Sequence, residues 1–253
     1  MDLGFAQFGA LALALGALAF MMGGLVKGVI GLGLPMVAVP VLASVMDPKV
    51  AVAMTAVPVL TSNIWIVGTS GRIPELLARY WTMLLALAVC SFVGAQFFVK
   101  MDARIASIVV GIGIASVCIA QAFPIKAKVN ARHEVWLGPV IGALAGLGGG
   151  ITNFFAPLLV AYMLALRVEK DLFVFSMSLF FIVGGAPLFG SLAIYRILDL
   201  DVLAVSAAAA VMAIIGLQLG ATLRRIIPQA TFQKVLLFAL FLIGLNLIRR
   251  GIF

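Results

Sequence analysis

Along the chain, apolar residues come in long runs separated by short clusters of charge, glycine and proline. Ten runs can be marked, at residues 5–26, 32–46, 50–68, 79–99, 104–123, 135–147, 151–166, 172–194, 202–223 and 232–248. A helix needs about 20 apolar residues to cross a bilayer, and most of the runs approach that length. The runs at 32–46, 135–147 and 151–166 are short for a full crossing and predict half-helices or re-entrant pieces. The pattern therefore predicts an all-α, polytopic membrane bundle with eight to ten crossings. Lipid tolerates broken backbone only where protein or a water-filled cavity covers it, so these interruptions imply a shared polar interior.

Composition removes the competing classes. Of 253 residues, 64% are hydrophobic and 10% charged, against roughly 45–50% and about 25% in soluble domains. A soluble enzyme, a disordered chain and a secreted disulfide scaffold are excluded. Cys90 and Cys118 lie inside apolar runs, far apart, and read as packing residues. The run from Phe5 to Met22 has no positive residue before it, only Asp2, and no polar domain after it. It reads as a first span retained in the mature protein rather than a signal peptide.

The formal net charge of +8 changes the picture only through its placement. Basic residues sit between the runs and form no stripe with interleaved aromatics, so nucleic acid is not an expected partner. If all ten runs cross, one set of loops holds Lys27, Arg72, Arg79, Lys126, Lys128, Arg132, Arg167, Lys170, Arg224, Arg225 and Lys234. The other holds Lys49, Lys100, Arg104, Arg196, Arg249 and Arg250. The larger set is expected in the cytoplasm, which puts both termini outside. Five runs per half also makes the halves inverted repeats; if 32–46 and 151–166 re-enter instead, the repeats are parallel.

The one linker-like stretch, residues 124–134, falls at the midpoint and divides the chain into a first repeat, 1–123, and a second, 135–253. Gly31-Leu32-Gly33 followed by Pro40 and Leu42 recurs as Gly148-Gly149-Gly150 followed by Pro157 and Leu159. Val93-Gly94-Ala95 has a counterpart in Leu219-Gly220-Ala221. Small residues at such positions let helices approach closely in lipid. Duplicated Gly/Pro interruptions in two hydrophobic halves also point to a transporter binding site.

With Gly28-Val29-Ile30-Gly31-Leu32-Gly33…Pro40-Val41-Leu42 and Gly146-Leu147-Gly148-Gly149-Gly150…Pro157-Leu158-Leu159, the chain resembles the TauE/SafE family of membrane permeases. The resemblance extends to the Ser/Thr-bearing third run and the Gly-Ala of the fourth, and covers essentially the whole chain. Leu34 and Pro35 depart from the glycine-rich form in the first copy. The resemblance implies a multi-pass permease of the bacterial inner membrane that moves small anions such as sulfite, sulfoacetate and related sulfonates, often outward.

The residues agree with an anionic substrate. A helix that starts at a Gly-rich break presents unpaired N–H groups and a positive dipole end. Gly31, Gly33, Gly148, Gly149 and Gly150 are candidates because a substrate can touch backbone that has no Cβ; tight helix packing is the competing reading. Lys27, next to the first break, either pairs with the anion or snorkels to the interface. Thr152 and Asn153 follow the triplet and need partners, a substrate oxygen or a backbone carbonyl. Thr55 and Asn63 in the third run, with Ser176 in its counterpart, are expected to line the path; back-bonding to their own helices is the alternative. Gln96 and Gln218 are expected to bond between helices.

No Asp or Glu lies well inside a run and the single His133 is in the linker, so coupling through a titrating side chain in the membrane is not expected. No HExxH, paired carboxylate, P-loop or Cys/His cluster occurs, so neither enzyme chemistry nor a cofactor or metal is expected. The partners expected are the lipid bilayer and a small anionic substrate, and the glycines and alanines on helix faces are compatible with a homodimer. The leading reading is a secondary permease working by alternating access. A channel-like facilitator and a non-transporting membrane scaffold or assembly factor are its rivals.

Overall fold

The computed structural model describes residues 10–30, 33–122, 131–223 and 229–252. They form eleven helices: α1 (Ala10–Ile30), α2 (Leu34–Ala43), α3 (Pro48–Ala53), α4 (Ala56–Gly68), α5 (Ile73–Lys100), α6 (Ala103–Ala122), α7 (Ala131–Thr152), α8 (Ala156–Ala165), α9 (Lys170–Ile194), α10 (Leu200–Leu223) and α11 (Gln229–Ile252). No strand occurs among the described residues. Among the described residues, seven stretches are long and apolar enough to cross a membrane, with α3 and α4 counted together. Helix is the expected outcome, since apolar surroundings offer no water to satisfy an open backbone.

Along the second half of α10, small residues face inward and large ones outward. α10 buries Ala209, Ala213, Gly216 and Gly220 while Val211, Ile214 and Leu219 face outward. Large outward side chains are at no disadvantage in lipid, and small inward ones let backbones touch.

The chain divides into two compact units. Unit 1 comprises Met1–Pro58, Met101–Ala122 and Leu192–Phe253; unit 2 comprises Val59–Lys100 and Phe123–Ser191. Each unit draws helices from both sides of the midpoint stretch.

In unit 1, α1 packs along α10. A Cβ on Gly24 would collide with the Ala213 carbonyl and one on Gly28 with that of Leu217. Conversely, a Cβ on Gly216 would strike the Met21 carbonyl and one on Gly220 that of Leu25. Numbers rise together along both helices, so they run parallel. α6 and α11 pack the other way, Gly111 against Gly244 and Gly251 against Ile108 and Arg104, which is antiparallel. α2 doubles back on α1: Gly23 lies against Leu34 and Gly16 against Leu42.

Unit 2 repeats the plan with α7 along α5. Cβ atoms on Gly142 and Gly146 would approach the Met83 and Leu87 carbonyls to 2.5 Å, and one on Gly150 would collide with that of Ser91. In return, a Cβ on Gly94 would meet the Leu147 carbonyl at 2.5 Å. This pair is also parallel, and α8 doubles back on α7, with Phe155 against Gly149 and Tyr162 against Gly138. The correspondence runs residue by residue. Gly24 and Gly28 stand to Ala213 and Leu217 as Gly146 and Gly150 stand to Leu87 and Ser91.

Proline breaks the third run of the sequence. Pro58 lacks an N–H, so the Met54 carbonyl one turn earlier loses its helical donor. The chain turns at Met54-Thr55, between α3 and α4. Ser206 of α10 repairs the break within unit 1: its hydroxyl donates to Met54 O at 2.7 Å and accepts from Val57 N at 3.1 Å.

Candidate functional site

In both places where the sequence predicts an interruption, a long helix is followed by a short one. α1 is described as far as Ile30 and α2 starts at Leu34. α7 stops at Thr152 and α8 starts at Ala156. α2 and α8 have ten residues each, about 15 Å of helix at 1.5 Å per residue. By helix position Pro157 corresponds to Pro35, each being the second residue of its short helix, and not to Pro40 as the sequence offset suggests. Pro40 lies inside α2.

In unit 1, Gly31 falls outside the described residues. Gly33 is the N-cap of α2, with φ of 117°, a value that an L side chain rarely adopts and glycine adopts freely. A Cβ there would also come within 3.3 Å of Val26 Cγ1. Lys27 lies in the last turn of α1 and is half-buried. Thr55 is fully buried at the α3–α4 turn, where its hydroxyl donates to Val52 O at 2.7 Å.

In unit 2 the glycine triplet is not where the helix breaks. α7 runs straight through Gly148, Gly149 and Gly150 and ends at Thr152. The expected helix start at these residues is therefore corrected: they lie near the negative end of a dipole, with their N–H groups inside a helix. Two have packing reasons to be glycine, since a Cβ on Gly149 would enter the Phe155 ring and one on Gly150 the Ser91 carbonyl. Gly148 has no heavy atom within 4 Å of its Cβ position.

The break comes at Asn153, whose φ of 63° is left-handed. Asn tolerates this region better than most residues, and such a residue ends many helices. Asn153 N donates to Gly149 O at 2.6 Å, and the side chain is buried at 3% exposure. Thr152 donates to Gly148 O at 2.8 Å and its hydroxyl accepts from Phe154 N at 3.3 Å. Asn63 donates from Nδ2 to Val59 O at 2.7 Å. The hydroxyls of Thr55 and Thr152 and the Asn63 amide thus bond to their own backbone. Ser176 of α9 is fully buried.

Several contributors are not among the sequence-derived candidates. Besides Ser206, Ser91 of α5 donates to Gly184 O of α9 at 2.6 Å. Gln96 donates to Ser191 at 3.0 Å, the interhelical role expected of it. The signal for the serines was a hydroxyl set within an apolar stretch of α5 or α10. Cys90 and Cys118 are free.

What the short helices offer chemically is donors. The first N–H groups of a helix have no intrahelical acceptor. In α2 these include Leu34 and Met36, and in α8 Ala156 and Leu158; Pro35 and Pro157 carry none. Each short helix thus points a small set of N–H groups and a positive dipole end at its break, without a fixed charge.

A family model described as "Sulfite exporter TauE/SafE" matches residues 15–247. No curated protein and no solved structure matches the chain.

Proposed function

Because this chain belongs to the sulfite exporter TauE/SafE family, making it a multi-pass membrane transporter for small anions, we propose that it is a secondary permease for sulfur oxyanions. Sulfite, sulfonates such as sulfoacetate, and related organic acids are its substrates. It exports them across a bacterial inner membrane by alternating access of two repeats, residues 1–123 and 135–253, joined by 124–134. The observation that carries this reading is the family match over 15–247.

The internal construction supports the repeat. The α1–α10 pairing of unit 1 and the α7–α5 pairing of unit 2 use corresponding residues, as a duplicated chain would if its copies exchanged a helix. Helix directions favour inverted repeats. α2 reverses on α1, α8 reverses on α7, and α6 is antiparallel to α11. Five successive reversals from α6 to α11 produce that last relation, and they require α8 to count as a crossing. Ten crossing elements then give five per repeat, an odd number, and odd repeats are inverted.

Substrate contacts are assigned to the two breaks, each taken by itself. In unit 1 they are Gly31, Gly33 and the first N–H groups of α2, with Lys27 and Thr55 as supporting polar groups. In unit 2 they are Asn153, Thr152 and the first N–H groups of α8, with Gly148 to Gly150 shaping the approach and Asn63 and Ser176 lining the path. A backbone cradle suits a desolvated anion because its partial charges need no counter-ion when the site is empty.

The test is flux of radiolabelled sulfite from proteoliposomes holding the purified chain, with sulfoacetate, sulfate, taurine and simple carboxylates as competitors. Saturable efflux accelerated by sulfite on the opposite side is expected. Linear, unsaturable flux would replace the carrier by a pore. Absence of flux for every anion would remove the permease and favour a scaffold.

A further inference from the structure

Away from the helix breaks, unit 2 holds a second polar constellation near the N-terminal ends of the parallel helices α5 and α7. Arg79 and Glu134 form a two-pronged ion pair, Nε to Oε1 at 2.7 Å and Nη2 to Oε2 at 3.1 Å. A second ion pair, Arg72 with Glu75 at 3.8 Å, joins exposed residues three apart at the start of α5. The Arg79 guanidinium lies 5.3 Å from the centre of the Tyr80 ring. Tyr162 Oη donates to the Glu134 carbonyl at 3.3 Å. Together with Trp81 and Thr82 these residues line a cavity of about 350 Å³, within the range of small-molecule sites.

A structural tie between two helices requires the ion pair and nothing else here. Glu134 engages two of the five guanidinium N–H groups, so three donors remain beside a cavity. A carboxylate held by the guanidinium fork also has the shape of a ligand: two negative oxygens in the spacing that a sulfite, sulfonate or phosphate group presents.

We propose that this cavity is an oxyanion site in which Glu134 is a competing internal ligand. A small oxyanion takes the Arg79 fork, Glu134 is released, and the exchange keeps one negative group on the guanidinium throughout. The same chemistry is carried by a free sulfur oxyanion and by the phosphate of an anionic lipid. The free-anion form rests on the permease reading; the site itself does not.

The chain has three tryptophans, so W65F/W136F leaves Trp81 in the cavity wall as the sole indole emitter. This protein is placed in phosphatidylcholine nanodiscs and titrated with sodium sulfite at constant ionic strength. A second arm uses nanodiscs containing phosphatidylglycerol and no sulfite. A saturable change in Trp81 emission is expected with sulfite. It should be about tenfold tighter in E134Q, where the competitor loses its charge, and absent in R79Q. A response to phosphatidylglycerol alone, lost in R79Q, assigns the site to a lipid phosphate. No saturable response in either arm overturns the proposal, as does a response that R79Q leaves intact. Should R79Q fail to fold, R79K keeps the charge and loses the fork, and an affinity within about twofold of the parent overturns it. Sulfite flux is measured alongside. Flux without a Trp81 response rejects this site and keeps the permease, whereas a response without flux does the reverse.

Discussion

Ser91 meets Gly150 backbone to backbone: the space where a Gly150 Cβ would stand is filled by the Ser91 carbonyl. The Ser91 hydroxyl meanwhile donates to Gly184 O at 2.6 Å. One serine of α5 therefore fixes α7 through its carbonyl and α9 through its hydroxyl. The contact separates three glycines that look alike in sequence. Gly150 abuts Ser91, Gly149 abuts the Phe155 ring, and Gly148 abuts nothing.

Alanine scanning of the triplet should therefore give three different answers. Gly148→Ala is expected to stabilise, or leave unchanged, the thermal melt in detergent, since Ala in a helix is favoured over Gly by roughly 0.5–1 kcal/mol. Gly150→Ala must push α7 from α5, and overpacking of this kind typically costs about 1–3 kcal/mol. Gly149→Ala should fall between if the Phe155 ring turns aside. Equal melting temperatures for the three variants would refute the close approach.

The likeness between the two glycine seams makes a quantitative demand. Gly28 faces the Leu217 carbonyl in unit 1 as Gly150 faces that of Ser91 in unit 2. Gly28→Ala and Gly150→Ala should lower stability by similar amounts, within about 0.5 kcal/mol, and should add in the double variant because they lie in separate contacts. A large effect of one and none of the other would show that the two pairings are not equivalent.

Much of this architecture was legible because lipid leaves few options. The ten apolar runs became helices, and the small residues expected to let helices approach, at Gly94 and Gly220, lie in the α5–α7 and α1–α10 seams. What misled was glycine itself. In water, Gly148-Gly149-Gly150 would end a helix, and the reading placed a break there. Between packed helices the missing side chains serve close approach, and α7 continues to Thr152. The break falls to Asn153, whose left-handed φ has no mark in the hydropathy pattern. The pairing of helices across the midpoint was equally invisible, because periodicity reports a helix's faces and not its neighbour. Ser206 was passed over for the same reason: its role exists only opposite the carbonyl that Pro58 exposes.

That last relation can be tested by a double-mutant cycle. Ser206→Ala leaves Met54 O and Val57 N without the bonds at 2.7 and 3.1 Å, and an unsatisfied buried group costs about 1–3 kcal/mol. Pro58→Ala restores an N–H that can reach Met54 O within the helix. In the Pro58→Ala background, Ser206→Ala should therefore cost clearly less, and the two changes should be non-additive by about 1 kcal/mol. Strict additivity would mean that the serine does not repair the proline break.

Asn153 combines a backbone role and a proposed side-chain role, and substitutions can separate them. Asn153→Gly keeps access to positive φ and removes the amide; Asn153→Ala removes both. A left-handed conformation costs a residue with a Cβ roughly 1–2 kcal/mol, so Asn153→Ala should melt distinctly below the parent and Asn153→Gly close to it. If the amide contacts the anion, Asn153→Gly should fold normally yet lose most sulfite flux in proteoliposomes and most of the stabilisation that sulfite confers on the melt. Normal flux in Asn153→Gly would assign the residue wholly to ending α7, leaving the first N–H groups of α8 to carry recognition in unit 2. A melt as low as that of Asn153→Ala would instead locate its importance in the buried amide's bonds to the protein.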